Sequence, residues 1–168
     1  MLLYHPAYDL FHCVFRLLRL ASALPRIDHE VVRIRILDFY LLFPDQLRDL
    51  QFPREFVRYK RQFQALENKY NSIEDPFRIF TTLEPYQSAA LACLGAYGFI
   101  SASALQDGKV RRTEMEIPTG IQVAMAEATN TFPALIELLS GPLASVDLYG
   151  KSGLKARSDL FEHRYDPT

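Results

Sequence analysis

The chain has 168 residues, of which 49% are hydrophobic, and its formal net charge is -1. This length and apolar content fit one domain, or two small subdomains that share a core, and they exclude a disordered chain. Because the charge is nearly balanced, it provides no overall attraction to nucleic acid, and any DNA contact must be local. The opening residues lack the basic stretch and apolar run of a signal peptide, and no segment is apolar enough to predict a membrane helix.

Two helices are predicted in the first quarter of the chain. Asp9 is placed to cap the first, whose apolar residues recur at helical spacing until Pro25. Asp28 is predicted to cap the second, which is apolar on nearly every side and ends at Phe43-Pro44. A helix with apolar residues all round is expected to be buried.

Two charged residues and two cysteines lie in predicted helices that are otherwise apolar. Arg35 and Asp38 interrupt the apolar second helix, and buried charges require partners. We expect them to pair locally or to anchor the end of the chain; the open alternative is that the helix faces solvent there. Cys13 and Cys93 lie in apolar helical runs and are expected to be reduced core residues of a cytoplasmic protein.

A third helix, predicted over residues 54–68, has an aromatic stripe on one face and basic residues on another. The basic residues are Arg54, Arg58 and Arg61. Three guanidinium groups along a helix can follow a phosphate backbone without reading its sequence. The alternative is that these residues are the solvent-exposed face of an amphipathic helix. It is favoured because basic outer faces of helices are common. The polar stretch that follows, residues 68–76, is the predicted boundary between two halves.

A short helix is predicted over 77–83. Residues 85–112, which follow it, have the order of the reading half of a winged helix: a helix that Glu84-Pro85 opens and Gly98 closes, a turn at Asp107-Gly108 and a basic strand. The strand residues that would touch phosphate as a wing does are Lys109, Arg111 and Arg112. Between Tyr86 and Phe99 there is no Lys, Arg, Asn or Asp, although a base-reading helix needs such side chains. This segment therefore predicts a protein-interaction module.

The elements together predict a mainly α fold that is winged-helix-like, with a tandem arrangement as an open alternative, a minor β wing and an extended C-terminal tail. Residues 1–145 are expected to form the helical domain, with halves at 1–70 and 76–118 followed by C-terminal helices. Residues 146–168 form a tail that is expected to dock on its own domain or on a partner. The candidate docking residues are Leu148, Tyr149, Leu154, Lys155, Arg157, Phe161, Arg164 and Tyr165.

Motifs that would carry chemistry are incomplete. Residues 150–152 read Gly-Lys-Ser, but a phosphate loop needs a glycine five positions earlier, where Ser145 stands. His5 and His12, with Asp9 and Cys13 nearby, do not complete a four-coordinate metal site. No Gly-x-Ser-x-Gly motif accompanies the histidines. We therefore predict no catalytic residue, cofactor or metal ligand, and a protein that is not an enzyme.

Several segments are characteristic. They are YHPAYD at residues 4–9, FRLLRL at 15–20, RILDFYLLFP at 35–44, LYGKSGLKAR at 148–157 and HRYD at 163–166. In these segments the chain resembles the Middle Component 5-like proteins of bacterial ABC-three-component systems, which are antiphage defence modules also known as Lamassu-type systems.

The resemblance implies a non-catalytic adaptor subunit. Its implied partners are a large ABC or SMC-like ATPase, which senses foreign DNA, and an effector such as a nuclease. DNA contact, non-specific and made through the complex, stays open, and no membrane partner is expected. The alternative function is a winged-helix DNA-binding regulator that uses the two basic sets. Co-purification with a large ATPase would support the adaptor, and sequence-specific duplex binding by the isolated chain would support the regulator.

Overall fold

The computed structural model describes residues 5–64, 66 and 75–161 of the chain. The α-helices in these ranges are α1 (Leu10–Ala23), α2 (Val31–Leu42), α3 (Val57–Gln64), α4 (Pro76–Ala96), α5 (Ala102–Gln106), α6 (Thr119–Thr131), α7 (Pro133–Ser140) and α8 (Leu154–Ser158). Short 3-10 turns occupy Pro6–Tyr8, Pro44–Arg48 and Arg54–Phe56. Two strands, β1 (His29–Glu30) and β2 (Lys109–Val110), pair antiparallel. The predicted mainly α fold is confirmed.

Helices α1 and α4 form the main pair of the fold and run in the same direction. At one end the ring of Tyr8, just before α1, lies 5.7 Å from the ring of Tyr86 in α4. At the other end Arg112 donates both to the hydroxyl of Ser22 in α1 and to the carbonyl of Phe99, which follows α4. Asp9 caps α1 as predicted, because its carboxylate accepts a hydrogen bond from the amide of His12 at 3.0 Å.

Helix α2 crosses the centre of the core. Its buried residues run without a break from Arg33 to Leu41, which confirms the prediction of a helix buried all round. It contacts α1, α4, α7 and α8. The buried apolar residues form one cluster that includes Leu17 of α1, Phe80 of α4 and Leu138 of α7. Residues before and after the predicted boundary at 68–76 thus share a core.

The predicted cap of the second helix is wrong. Asp28 does not cap α2; its carboxylate accepts from the guanidinium of Arg111 at the surface, at 2.6 Å. The chain first forms strand β1, and Glu30 then occupies the cap position of α2 without a side-chain hydrogen bond. The strand forms because Val110 of β2 lies opposite His29, a pairing that the local sequence does not reveal.

The two helices predicted on either side of Pro85 are one continuous helix, α4, with Pro85 inside it. Proline removes one backbone hydrogen bond and usually ends or kinks a helix. Here Pro85 is exposed, so water can satisfy the carbonyl that loses its partner. Buried residues on both sides, among them Leu83 and Gln87, hold the helix against the core.

A winged helix is not confirmed. The turn at 107–108 forms as predicted, with Gly108 at φ 71°, but strand β2 pairs with β1 and not with a neighbouring strand of a wing hairpin. A single further bridge joins Ile100 to Arg112. Helix α5, which lies between α4 and this turn, has only five residues.

The end of the described chain lies against the core. Leu148, Leu154 and Leu160 are buried, and the ring of Phe161 meets the ring of Phe80 edge to face at 4.8 Å. Arg164 and Tyr165, two of the predicted docking residues, lie outside the described residues. By contrast, α6 has no buried residue and lies beside α7.

Candidate functional site

The first predicted basic set is at the surface. Arg54 lies in the 3-10 turn that precedes α3, and Arg58 and Arg61 lie on α3 itself; all three are exposed. The guanidinium carbon of Arg58 lies 5.0 Å above the ring of Tyr59. Their exposure leaves these side chains accessible to solvent or to a phosphate backbone.

The second basic set is partly engaged within the chain. Lys109 is half-buried in β2, and Arg111 donates to Asp28. Arg112 is buried and surrounded by acceptors. It donates to the main-chain oxygens of Phe99, Thr113 and Met115, at 2.9, 2.8 and 2.6 Å. Its guanidinium therefore ties the segment after β2 to the end of α4.

The Gly-Lys-Ser segment forms a closed loop before α8. Gly150 has φ 86°, and its carbonyl accepts from the amide of Gly153 at 3.1 Å. The amides of Leu154 and Lys155 donate to the carbonyls of Asp147 and Leu148, at 2.7 and 3.1 Å. A phosphate loop needs amides that point at the ligand, whereas the amide of Gly153, which follows Ser152, is bonded within the chain.

An open groove of about 740 Å³ lies beside this loop. It brings together Arg54 of the first basic set with Tyr149 and Arg157 of the predicted docking residues. Glu55 and Asp147 also line it, so its charge is mixed. The Nε of Arg157 donates to the carbonyl of Ser152, and its Nη1 to that of Gln51, at 2.6 and 2.9 Å; this side chain therefore holds the loop.

A polar network is buried where α1, α2 and α4 meet. Asp38 of α2, 0% exposed, accepts from Nε and Nη2 of Arg16 at 2.5 and 3.0 Å and from Nε2 of Gln87 at 2.8 Å. Arg35 donates to Oε1 of Gln87 at 3.0 Å, and its guanidinium carbon lies 4.7 Å from the centre of the Phe80 ring. Arg35 and Asp38 are thus buried, which excludes the solvent-facing alternative, and each pairs across helices.

The residues considered as metal ligands serve other contacts. The Nδ1 of His5 accepts from the amide of Ala7, and Cys13 accepts a weak hydrogen bond from Arg16 at 3.5 Å. Burial raises the pKa of the Cys13 thiol to about 12, and the charge of Asp38 adds to the rise, so the thiol stays protonated. Within the described ranges, no group of three or more His, Cys, Asp or Glu side chains is placed to hold a metal ion.

Sequence reasoning missed two anchoring arginines. Besides Arg112, Arg33 at the start of α2 donates to Glu30 and to the carbonyls of Ala144 and Val146, at 2.9, 2.9 and 2.5 Å. Arg33 thereby joins α2 to the turn after α7. Its place in an apolar helix was the signal that it would need partners; which partners it has depends on the fold.

Large apolar side chains remain at the surface. Phe11, on the first turns of α1, is 84% exposed, and Tyr97, after α4, is 69% exposed. Because α1 and α4 run in parallel and Tyr8 meets Tyr86, Phe11 lies at the level of the next turn of α4. The exposed residues of that part of α4 are uncharged: Ser88, Ala89 and Ala92. In the part of the chain that the structure covers, no helix has both the length and the apolar character to cross a bilayer.

Comparison with known families gives one match. The family model described as "ABC-three component (ABC-3C) system Middle Component 5" matches residues 2–166, which is nearly the whole chain. No curated protein and no solved structure was found to match.

Proposed function

The chain belongs to the Middle Component 5 family of ABC-three component (ABC-3C) systems, and from this premise we propose that it is a non-catalytic adaptor. Membership makes the chain a middle component of such a system and implies partner proteins of that system. The adaptor we propose joins a large ABC or SMC-like ATPase to an effector such as a nuclease, in a Lamassu-type defence complex. Its own part is to hold these proteins together.

The observation that carries the proposal is the exposed aromatic ring of Phe11 on α1, a helix that packs beside α4. Phe11 is 84% exposed, and on α4 the exposed residues Ser88, Ala89 and Ala92 are small and neutral. Small side chains let a partner approach closely, and exposed aromatic residues are typical anchors of protein interfaces. We name Phe11, Ser88, Ala89 and Ala92 the α1/α4 surface.

The test is co-purification of the tagged full-length chain with the ATPase and the effector of its ABC-3C system. We expect Phe11→Ser to weaken the complex at least tenfold, since truncating an aromatic anchor typically costs about 2 kcal/mol. The substitution should leave the free energy of unfolding within about 0.5 kcal/mol, because Phe11 is almost fully exposed. The thermal unfolding midpoint of each variant checks this.

Val57→Ser is the matched control, because Val57 is an exposed apolar residue, 48% accessible, at the start of α3. It should retain the complex. A wild-type chain that binds neither protein would contradict the adaptor. A complex that survives Phe11→Ser unchanged would remove the α1/α4 surface as its site.

A DNA-binding regulator is the alternative, and the exposure of Arg54, Arg58 and Arg61 favours it. If these residues contact phosphates, replacing all three with alanine should weaken duplex binding. It should also make the slope of log affinity against log salt concentration shallower, by the amount that corresponds to up to about three phosphate contacts. Fluorescence anisotropy at several salt concentrations measures both. Duplex affinity that is the same for wild type and the triple variant at low salt would reject these contacts.

A further inference from the structure

A cavity of about 300 Å³ lies between the C-terminal part of α2, the turn that follows it, the start of α4 and the end of α8. It is separate from the α1/α4 surface and from the groove beside residues 150–153. Its walls combine aromatic rings and carboxylates, contributed by Phe39, Tyr40, Asp49, Asp75, Phe77 and Asp159. We name it the aspartate cavity.

The side chain of Tyr40 forms the buried wall of the aspartate cavity. Tyr40 is only 2% exposed, and within the described ranges its hydroxyl makes no hydrogen bond. Burial raises the pKa of Tyr40, and the charges of Asp49 and Asp159 raise it further, so the hydroxyl stays protonated and lies within the field of these two carboxylates. Within the described ranges the one buried side-chain nitrogen or oxygen without a hydrogen-bond partner is Nε of Arg19, so the Tyr40 hydroxyl reaches the open space of the cavity, and an occupant can replace water as its partner there.

The rim of the cavity is negatively charged. The side chain of Asp49 is 72% exposed, and its ion pair with Arg48, at 3.6 Å, is too long for a hydrogen bond. Asp75 uses one carboxylate oxygen to cap α4 at the amide of Arg78, which leaves acceptor capacity on the other oxygen. Among the described residues that line the cavity, none is basic. The cavity is therefore complementary to a cation.

The kind of cation follows from the remaining walls. No group of three or more acidic or other ligand side chains is placed to hold a metal ion among the residues described, and 300 Å³ far exceeds what one ion requires. Phe77 is 40% exposed at the rim. A guanidinium group has several donors for carboxylates and a planar face that stacks on aromatic rings, whereas an ammonium is compact and strongly hydrated.

We propose that the aspartate cavity binds an arginine side chain presented by a partner protein of the ABC-3C complex. Asp49 and Asp75 accept from its guanidinium, and the Tyr40 hydroxyl supplies a hydrogen bond at the base. Phe77, at the rim, meets the apolar stem of the arginine and the partner surface around it. Arginine is enriched among the residues that dominate protein interfaces. This inference rests on the proposed adaptor function, because the arginine belongs to a partner of the system.

The first arm of the test uses Nα-acetyl-arginine-N-methylamide as the probe and the full-length chain as the target. Two-dimensional NMR follows the titration, and the citrulline analogue, which has nearly the same shape without the charge, is the control ligand. We expect the arginine compound, and not the citrulline compound, to shift resonances of residues around the cavity. An equal response to both compounds, or no response to either, would overturn the proposal.

Isosteric variants sharpen this arm. Asp49→Asn and Asp75→Asn should each weaken binding about two- to fivefold, as for exposed ion pairs. Asparagine caps a helix as well as aspartate, so Asp75→Asn keeps α4 intact. Tyr40→Phe should weaken binding about threefold without loss of thermal stability, because it removes a hydroxyl that has no partner within the described chain. Asp107→Asn, at an exposed turn outside the cavity, should change nothing. Affinities unchanged by the three cavity substitutions would also overturn the proposal.

The second arm decides whether a partner supplies the arginine. The Asp49→Asn, Asp75→Asn double variant should lose about tenfold in affinity for the complex that the wild-type chain forms, whereas Asp107→Asn retains it. Equal retention of the double variant would sink the inference and leave the adaptor function standing. If the wild-type chain forms no complex, the adaptor function itself fails and the partner arginine fails with it, while the titration still reports separately whether the cavity holds a guanidinium.

Discussion

Replacing Asp38 with alanine is expected to lower the free energy of unfolding by about 3–5 kcal/mol. The carboxylate is fully buried and accepts from two nitrogens of Arg16, at 2.5 and 3.0 Å, and from Gln87 at 2.8 Å. Its removal leaves the Arg16 guanidinium buried without a counter-charge, and leaves Gln87 without one of its acceptors. Urea denaturation followed by far-ultraviolet circular dichroism measures the change.

Asp28→Ala is the matched control for the Asp38 prediction. Its ion pair with Arg111 is equally short, 2.6 Å, but both side chains are close to half exposed, so the loss should stay below about 1 kcal/mol. Combining Asp38→Ala with Arg16→Met should recover part of the lost stability, because no unpaired buried charge then remains. If Asp38→Ala cost no more than Asp28→Ala, the buried network would not contribute to stability.

The same network shows which part of the fold the sequence could predict. The apolar surroundings of Arg35 and Asp38 indicated a buried helix with two charges in need of partners, and α2 is that helix. The partners themselves were beyond reach. Arg16 and Gln87 lie 22 and 49 residues from Asp38, and they meet it because α1 and α4 pack in parallel around α2. Helix periodicity shows which face of a helix is buried, but it does not show which other elements pack against that face.

Pro85 shows where a local rule yields to tertiary packing. From the sequence alone a proline predicts a helix boundary. The sequence therefore predicted two helices where the structure has the single helix α4. In the structure Pro85 is exposed, and Leu83 and Gln87, on either side of it, are buried. Packing of these neighbours holds the helix across a residue that costs it one hydrogen bond. The free energy that a proline costs a helix depends on whether water reaches the carbonyl that loses its hydrogen bond. A single sequence does not show this.

The aspartate cavity could not be predicted for a related reason. Asp49, Asp75 and Tyr40 belong to a turn, a helix cap and a buried helix, and acidic residues in turns and caps are usually solvated or local in their role. Only the fold brings them to one cavity. The Gly-Lys-Ser segment is the converse case. Its local sequence suggests chemistry, and in the structure it forms a turn that leads into α8, in which the amides of Leu154 and Lys155 are bonded within the chain.

Gly153→Ala is expected to lower the free energy of unfolding by about 3 kcal/mol, the upper end of the usual range for an overpacked site. A Cβ atom at Gly153 would lie 2.3 and 2.5 Å from the carbonyl oxygen and carbon of Tyr149, and 2.6 Å from the carbonyl oxygen of Leu148. These are backbone atoms, so no side-chain rotation relieves the contact. The loop must open, and Leu148 and Leu154, buried on either side of it, must move with it.

Substitutions at two other glycines and at Lys151 are the controls for Gly153→Ala. They distinguish the steric contact from the effects of backbone conformation and of a surface change. Gly150 has φ 86° and nothing within 4 Å of an added Cβ, so Gly150→Ala should cost about 1–2 kcal/mol from backbone conformation alone. Gly120→Ala, in open space within α6, should cost nothing, because alanine is the better helix former. Lys151→Ala should change stability by less than about 0.5 kcal/mol, since the side chain is exposed. The glycine at 153 is then required for packing of the loop. A Gly153→Ala variant as stable as Gly120→Ala would show that the loop yields without cost and would remove that explanation.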